Sequence, residues 1–503
     1  METDKNGVNG FATLEILIAF AVIILCMSAV TSVVFGNQLT IIDSELNSEA
    51  IYKSGKMLED LRAISRFDFN LVNPSNSNEL SGSVMLTKKI DVNQLDIFTK
   101  QATSTVSWQS RGRTLSVSQT TLLTNPDLVS GGGTCSSVVS GDWKNPLFTD
   151  YEFGKDLLGN SSNIYPISAI DVYKRKLFIS ISNSSVNNSP TFFIFDVSNP
   201  TTPTLVSSMD NDPTVRLGLN AISATDSYSF VANAKQSNFT TCLSGTCGQL
   251  QIIDVSITPP VVIKTFKVPG VTGTAGQAVG QSIVYKKDRK TNKEYVYLGL
   301  AKTLTGPEFN IINVTDKNNP VYEGGYSVGN AVNSIFIKNN FAYIATPNSE
   351  NMTIIDISNP TSPTKVGGYS PTGGSNGKSV YVVGNNVYLG RTFGTNEFHV
   401  LNIANLGSIS PIAIKDIGTG TETSINGLLI RDFLTFMITN TKFEVWNISD
   451  LTNIIPWTPN NLVSEFQNLP GGKGTAMDCE GNYLFVSSLP VNDKGFISII
   501  SAN

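Results

Sequence analysis

One short element, a few apolar residues closed by Asp or Asn, recurs through the last two-thirds of the chain. The copies read Phe193-Ile194-Phe195-Asp196, Gln251-Ile252-Ile253-Asp254, Asn310-Ile311-Ile312-Asn313, Thr353-Ile354-Ile355-Asp356, His399-Val400-Leu401-Asn402 and Glu444-Val445-Trp446-Asn447. A weaker last copy is Ile497-Ser498-Ile499-Ile500-Ser501. The spacings are 58, 59, 43, 46, 45 and, to Ser501, 54 residues. A unit repeated at this period cannot bury its apolar faces alone, so neighbours must stack and supply the core for one another.

Each unit carries the same pieces in order. An alternating strand such as Ser334-Ile335-Phe336-Ile337 comes first, and the turn Lys338-Asn339-Asn340 leads into Phe341-Ala342-Tyr343-Ile344-Ala345. The third strand ends at the Asp or Asn. A turn such as Ser358-Asn359-Pro360-Thr361-Ser362-Pro363 then precedes a fourth strand. Helical spacing is absent. Four strands in about 45 residues fit one β-propeller blade, and the longer units carry polar insertions such as 288–294. Six complete units and a seventh lacking its fourth strand predict an all-β, seven-bladed propeller over 143–503. Trp143-Lys144-Asn145-Pro146 and the strand after it copy the Asn-Pro turn and outer strand of the other units. The stretch 143–153 is therefore expected to complete the seventh blade and remove its exposed edge. Cys135 precedes that strand and Cys479 lies in the last unit, so a Cys135–Cys479 disulfide is expected to lock the closure. Cys242 and Cys247 are expected to form a local bridge in an inserted loop. The units resemble the bacterial propeller repeats built around a Leu-Val-Ile-Val-Asp motif, over residues 140–503. That family implies a fold and no defined activity.

The other strong pattern is N-terminal. Residues 16–35 hold no charge and only Ser28, Thr31 and Ser32 as polar interruptions, which is long enough to span a bilayer as a helix. The apolar stripe then continues through Leu39, Ile42, Leu46, Ala50, Met57, Leu61 and Ile64, mostly three or four apart. One helix over 11–64 would be roughly 80 Å long at 1.5 Å per residue. Its first half suits lipid or a packed bundle, and its amphipathic second half suits carrying a domain on one face. A secretory signal peptide would start with basic residues and end at a small-residue cleavage site. Here Lys5 stands against Glu2 and Asp4, and the helical pattern runs on.

Glu15 breaks the apolar start; a carboxylate there either marks the helix start at the bilayer surface or needs a partner. Gly10-Phe11-Ala12-Thr13-Leu14-Glu15 and the apolar run behind it resemble the type IV prepilin motif. The resemblance implies a leader over 1–10, removed by prepilin peptidase between Gly10 and Phe11, and N-methylation of Phe11. It also implies subunit assembly in which Glu15 of one copy pairs with the Phe11 amine of another. Gly7 has no acid at the matching distance. The helix lacks the proline that many major pilins carry, which points to a minor pilin or pseudopilin.

Residues 65–128 read as a small antiparallel β domain set against the helix, with strands over 84–92, 102–108 and 114–123 and a Gly112-Arg113 turn. Asn73-Pro74-Ser75-Asn76 reads as loop. The Thr/Val/Ser-Trp strand, the Gly-Arg turn and the strand after it are similar to the head sheet of small minor pilins. Gly131-Gly132-Gly133 marks a linker over 129–142.

Composition narrows the chemistry. Only 15% of the residues are charged and the net charge is −5, with no long basic run, so no nucleic-acid partner is expected. The single histidine, His399, excludes a multi-histidine metal site and reads as an exposed strand residue. Asp196, Asp254 and Asp356 share their column with Asn and Ser, which fits turn capping rather than a calcium or catalytic ring. The stretch 270–280 lacks the lysine and the strand–helix context of a phosphate loop. The loops 233–248, 285–294, 303–308 and 455–470 are long enough to build a binding surface. No catalytic residue, metal or cofactor is expected. The whole reads as a minor pilin-like subunit of the inner membrane, then of an extracellular pilus, displaying a propeller to an unknown surface ligand. A pseudopilin of a secretion or DNA-uptake machine is the second reading, and a surface-tethered polysaccharide-active enzyme the third.

Overall fold

A computed structural model describes residues 11–67, 69–95, 99–110, 112–124, 135, 139–159, 164–182, 190–211, 218–233, 248–274, 276–288, 291–392, 394, 396–418, 424–489 and 494–503. The chain divides into two compact units, with the break after Thr124 apart from residues 96–98.

The first unit is one helix and one sheet. Helix α1 (Phe11–Phe67) runs 57 residues without interruption, three residues beyond the end expected from its stripe. The sheet is an antiparallel meander of β1 (Ser75–Ser81), β2 (Val84–Gln94), β3 (Thr99–Ser110) and β4 (Arg113–Thr124). Strand β1 begins inside the Asn73–Asn76 stretch expected as loop. Its Ser-Asn-Ser-Asn-Glu-Leu-Ser stretch is mostly exposed and has no buried face to impose alternation. Gly112, at φ +73°, closes the β3–β4 hairpin with a backbone that only glycine adopts freely. Leu46, Ala50, Leu58 and Leu61 of α1 pack on Leu86, Ile90, Ala102, Val106, Trp108 and Leu123 of the sheet. Polar contacts fix the register of that packing: Ser54 donates to the Ser104 carbonyl (3.2 Å), and Lys53 reaches Glu79 (2.6 Å).

The second unit is an all-β body of four-stranded antiparallel sheets in chain order. Among the described residues they cover 167–209, 219–266, 280–326, 334–369, 377–415, 427–468 and 473–501; the sixth adds a short fifth strand. They are numbered one to seven below. The first six follow one another strand by strand. Sheet seven has three consecutive strands, and its fourth is β5 (Leu147–Glu152), which pairs antiparallel with 496–501 from Ser501↔Leu147 to Phe496↔Glu152.

Why the third strands look the way they do follows from packing. Hydrophobic clusters join sheets one and two, two and three, three and four, four and five, five and six, and six and seven. A further cluster joins seven to one, with Phe485, Ile497 and Ile499 against Ile170, Leu177, Phe193 and Phe195. Along one third strand, Ile194 faces sheet two while Phe193 and Phe195 face sheet seven. A strand covered on both faces reads as a continuous apolar run rather than an alternation.

Cys135 and Cys479 form a disulfide with Cα atoms 5.2 Å apart. Asp142 and Asn503 exchange backbone hydrogen bonds of 2.9 and 3.0 Å, so the stretch expected as linker is tied to the body at Cys135 and at Asp142. Cys242 and Cys247 lie outside the described residues. The disulfide encloses 344 residues of sequence separation, and replacing both cysteines by Ala should destabilise the body by about 2–5 kcal/mol, from the loop-closure entropy it removes. Denaturant unfolding of the double variant against the oxidised wild type measures this.

Candidate functional site

Two regions carry the features that function could use. The first is the N-terminal part of α1. Ile16–Val34 is 19 residues of mean hydropathy 2.7 with no residue buried in the protein, a length and composition that serve a membrane anchor or a signal sequence. Its hydroxyls are satisfied within the helix: Ser28 donates to Leu25 O (3.0 Å), Thr31 to Met27 O (2.6 Å) and Ser32 to Ser28 O (2.8 Å). No polar group of these three therefore needs water, which is what a lipid or bundle environment requires. Gly10 lies outside the described residues, and Phe11 and Glu15 are placed only as backbone at the start of α1.

The second region is the set of first strands in the all-β body. Each packs beside the first strand of the next sheet, and that of sheet seven beside that of sheet one. Two polar columns latch them. At the entry end, bulges at Ser168, Asn220, Gln281, Lys378 and Thr475 turn a side chain out of the ladder. Ser168 donates to Leu219 O, Asn220 to Gly280 O (2.8 Å) and Asn333 to Gly377 O (2.7 Å), each reaching the following sheet. Lys378 occupies this column in sheet five; burial lowers its pKa, and the Lys473 charge adds to the effect.

Deeper in, Asp478 accepts the Val172 N–H (2.6 Å), Asp171 the Ala224 N–H (2.5 Å) and Ser223 the Tyr285 N–H (3.1 Å). These three positions are equivalent in register and each caps the next sheet. The Asp171 and Asp478 carboxyls also bond each other, and burial pushes both pKa values upward, Asp478 further through the charge of Asp171. Two carboxyls in hydrogen-bond contact hold a proton between them. The pair thus joins the last sheet to the first, beside the disulfide. Cys135, Asp478 and Cys479 lie close enough to suggest a metal group. Both sulfurs are committed to the disulfide, and the carboxylate to Val172 and Asp171.

The Asp/Asn column does what short side chains at turns do. Asp196, Asp254, Asn313, Asp356, Asn402 and Asn447 each accept the N–H two residues on, at 2.7–3.0 Å. His399, expected to be exposed, is 2% exposed. The reason is its position: the residue three before the Asx or Ser that ends the third strand is enclosed between sheets, as Gln251, Asn310, Thr353, Glu444 and Ser498 are in theirs. Arg391 Nη1 and the Asn396 carbonyl oxygen each lie 3.0 Å from His399 Nε2, and Tyr369 Oη lies 3.0 Å from Nδ1. Desolvation, then the Arg391 charge, lowers the His399 pKa to about 4. Glu444 is raised to about 7 by burial, although Trp446 Nε1 donates to it at 2.8 Å. A run of polar residues at one repeat position was the available clue to this buried column. Of the loops considered for binding, residues 285–287 belong to a strand and 455–470 contains two short ones.

Two segments, 187–211 and 329–370, match the LVIVD repeat family. No curated protein matches the chain. A solved protein of unknown function from Desulfotomaculum acetoxidans is similar at 12% identity, over 65% of this chain and 90% of its own, with a TM-score of 0.41. The extracellular domain of a hybrid two-component system from B. thetaiotaomicron is similar at 13% identity, over 67% of this chain and 38% of its own, with a TM-score of 0.40.

Glu444 gives a pH test of the buried column. The folded state holds its proton more tightly than the unfolded chain, so stability falls as pH rises from 4.5 through about 7. Glu444→Gln keeps an acceptor for Trp446 and removes that loss. Its stability gain over wild type should be near zero at pH 4 and rise to about 3 kcal/mol at pH 8, at about 1.4 kcal/mol per pKa unit. His399 acts with opposite sign, losing stability as pH falls from 6.5 through about 4, so the variant-minus-wild-type difference in denaturant unfolding is the informative quantity. What the comparisons establish about the chain is that it carries LVIVD repeats in its all-β body.

Proposed function

We propose that the chain is a minor type IV pilin-like subunit that displays a seven-bladed β-propeller. The observation that carries this reading is the division of labour along α1: an exposed apolar N-terminal half, and a C-terminal half seated on a four-stranded antiparallel sheet. That is a membrane and filament anchor continuous with a small head. Prepilin peptidase cuts between Gly10 and Phe11, Phe11 is N-methylated, and Glu15 pairs with the Phe11 amine of a neighbouring subunit. An unpaired carboxylate in that apolar bundle would be strongly destabilising. The precursor resides in the inner membrane and the mature subunit on the extracellular filament.

The body is read as a closed propeller because its seven cores join consecutive sheets and the last core joins sheet seven to sheet one. It serves binding to a cell or polymer surface rather than catalysis. The Asp171 and Asp478 carboxyls and the first-strand Ser168 and Asn220 side chains are spent on holding neighbouring sheets together. A large propeller on every subunit would crowd a shaft, which favours a scarce or tip position. A pseudopilin with the propeller as docking platform is the second reading, favoured by the same helix without the proline.

N-terminal sequencing of the membrane-extracted protein should begin at Phe11, and blocking substitution at Gly10 should restore the leader. An intact Met1 in cells that hold the peptidase would overturn the prepilin reading. Immunogold labelling should find the body at filament ends; labelling along the whole shaft would remove the tip placement.

A further inference from the structure

We propose that Arg431 and Trp143 hold a small inorganic anion of chloride size, enclosed at the junction of sheets six and seven. Arg431 ends the first strand of sheet six and is 1% exposed. Among the described residues its Nε, Nη1 and Nη2 atoms have no hydrogen-bond partner, and the indole Nε1 of Trp143, also 1% exposed, has none. The guanidinium carbon lies 5.7 Å from the ring centres of both Trp143 and Phe436.

Every orphan atom of this pair is a donor, and neither guanidinium nor indole can accept. A neutral donor ligand is therefore excluded, and the buried positive charge asks for a negative one. Attraction to the two ring faces offsets part of the desolvation but satisfies no N–H. The contrast with Arg391 is direct. That side chain is equally buried, yet its nitrogens reach Asn351 Oδ1 (2.8 Å), Asn396 O (3.0 Å) and His399 Nε2 (3.0 Å). Among the described residues no carboxylate pairs with Arg431, and the titratable neighbour it feels is Tyr381. Enclosure of both donors selects a compact ion over a carboxylated organic ligand. Trp143 precedes the closing strand and packs in the core between sheets six and seven. Anion binding there would tie the N-terminal segment of the body to sheet six.

The test is thermal unfolding of the full chain in detergent, in sodium chloride against sodium gluconate at equal ionic strength. Chloride should raise the midpoint saturably by several degrees, as ligand linkage requires, and Arg431→Met should abolish the difference. Crystals soaked in bromide should show an anomalous peak beside the guanidinium. The proposal is overturned if no bromide sits there, or if the chloride response survives in Arg431→Met. Should that variant fail to fold, the wild-type salt comparison and the bromide peak decide the matter alone.

Discussion

Burial of each sheet between two neighbours is the constraint on which the all-β body depends. Its third strands are apolar on both faces, so a sheet left open on one side would expose Phe, Ile and Leu side chains to water. Every interior sheet solves this with its successor. The first and last sheets can solve it only with each other, and the cluster joining Phe485, Ile497 and Ile499 to the first sheet is that solution. β5, the Cys135–Cys479 disulfide and the Asp142–Asn503 backbone pair all fasten the N-terminal segment of the body to sheet seven, and the Asp171–Asp478 carboxyl pair joins that sheet to the first. The concentration is physically sensible, because sheet seven is assembled from both ends of the body.

Polar groups inside the body are mostly spent on the same task. First-strand side chains take up the backbone groups of the next sheet, and Asx side chains cap the turns between third and fourth strands. The buried column at His399 and Glu444 is different. It places ionisable groups in low dielectric, where one is held neutral by losing a proton and the other by keeping it. Their opposed pH dependences leave the body less sensitive to acid than either group alone would make it.

Much of this was legible in residue order. The repeat, its four strands, the strand borrowed from 147–152, the Cys135–Cys479 pairing and the turn-capping Asx residues are all local or periodic features. The polar strand Ser75–Ser81 was not legible, because a strand with both faces largely in water leaves no pattern. His399 was misread for a related reason. A polar residue beside apolar ones normally marks a solvent face, and only the presence of a second sheet across it makes the position interior.

The sequence by itself determined a long apolar-then-amphipathic helix, a small antiparallel unit and a repeated four-stranded body, because periodicity and turn chemistry are properties of neighbouring residues. Tertiary structure decided which polar side chains are enclosed and what they meet. Asp171 and Asp478 stand 307 positions apart, and Trp143 and Arg431 stand 288 apart. No local rule relates such residues. They become chemistry only when stacked sheets exclude water from the space between them.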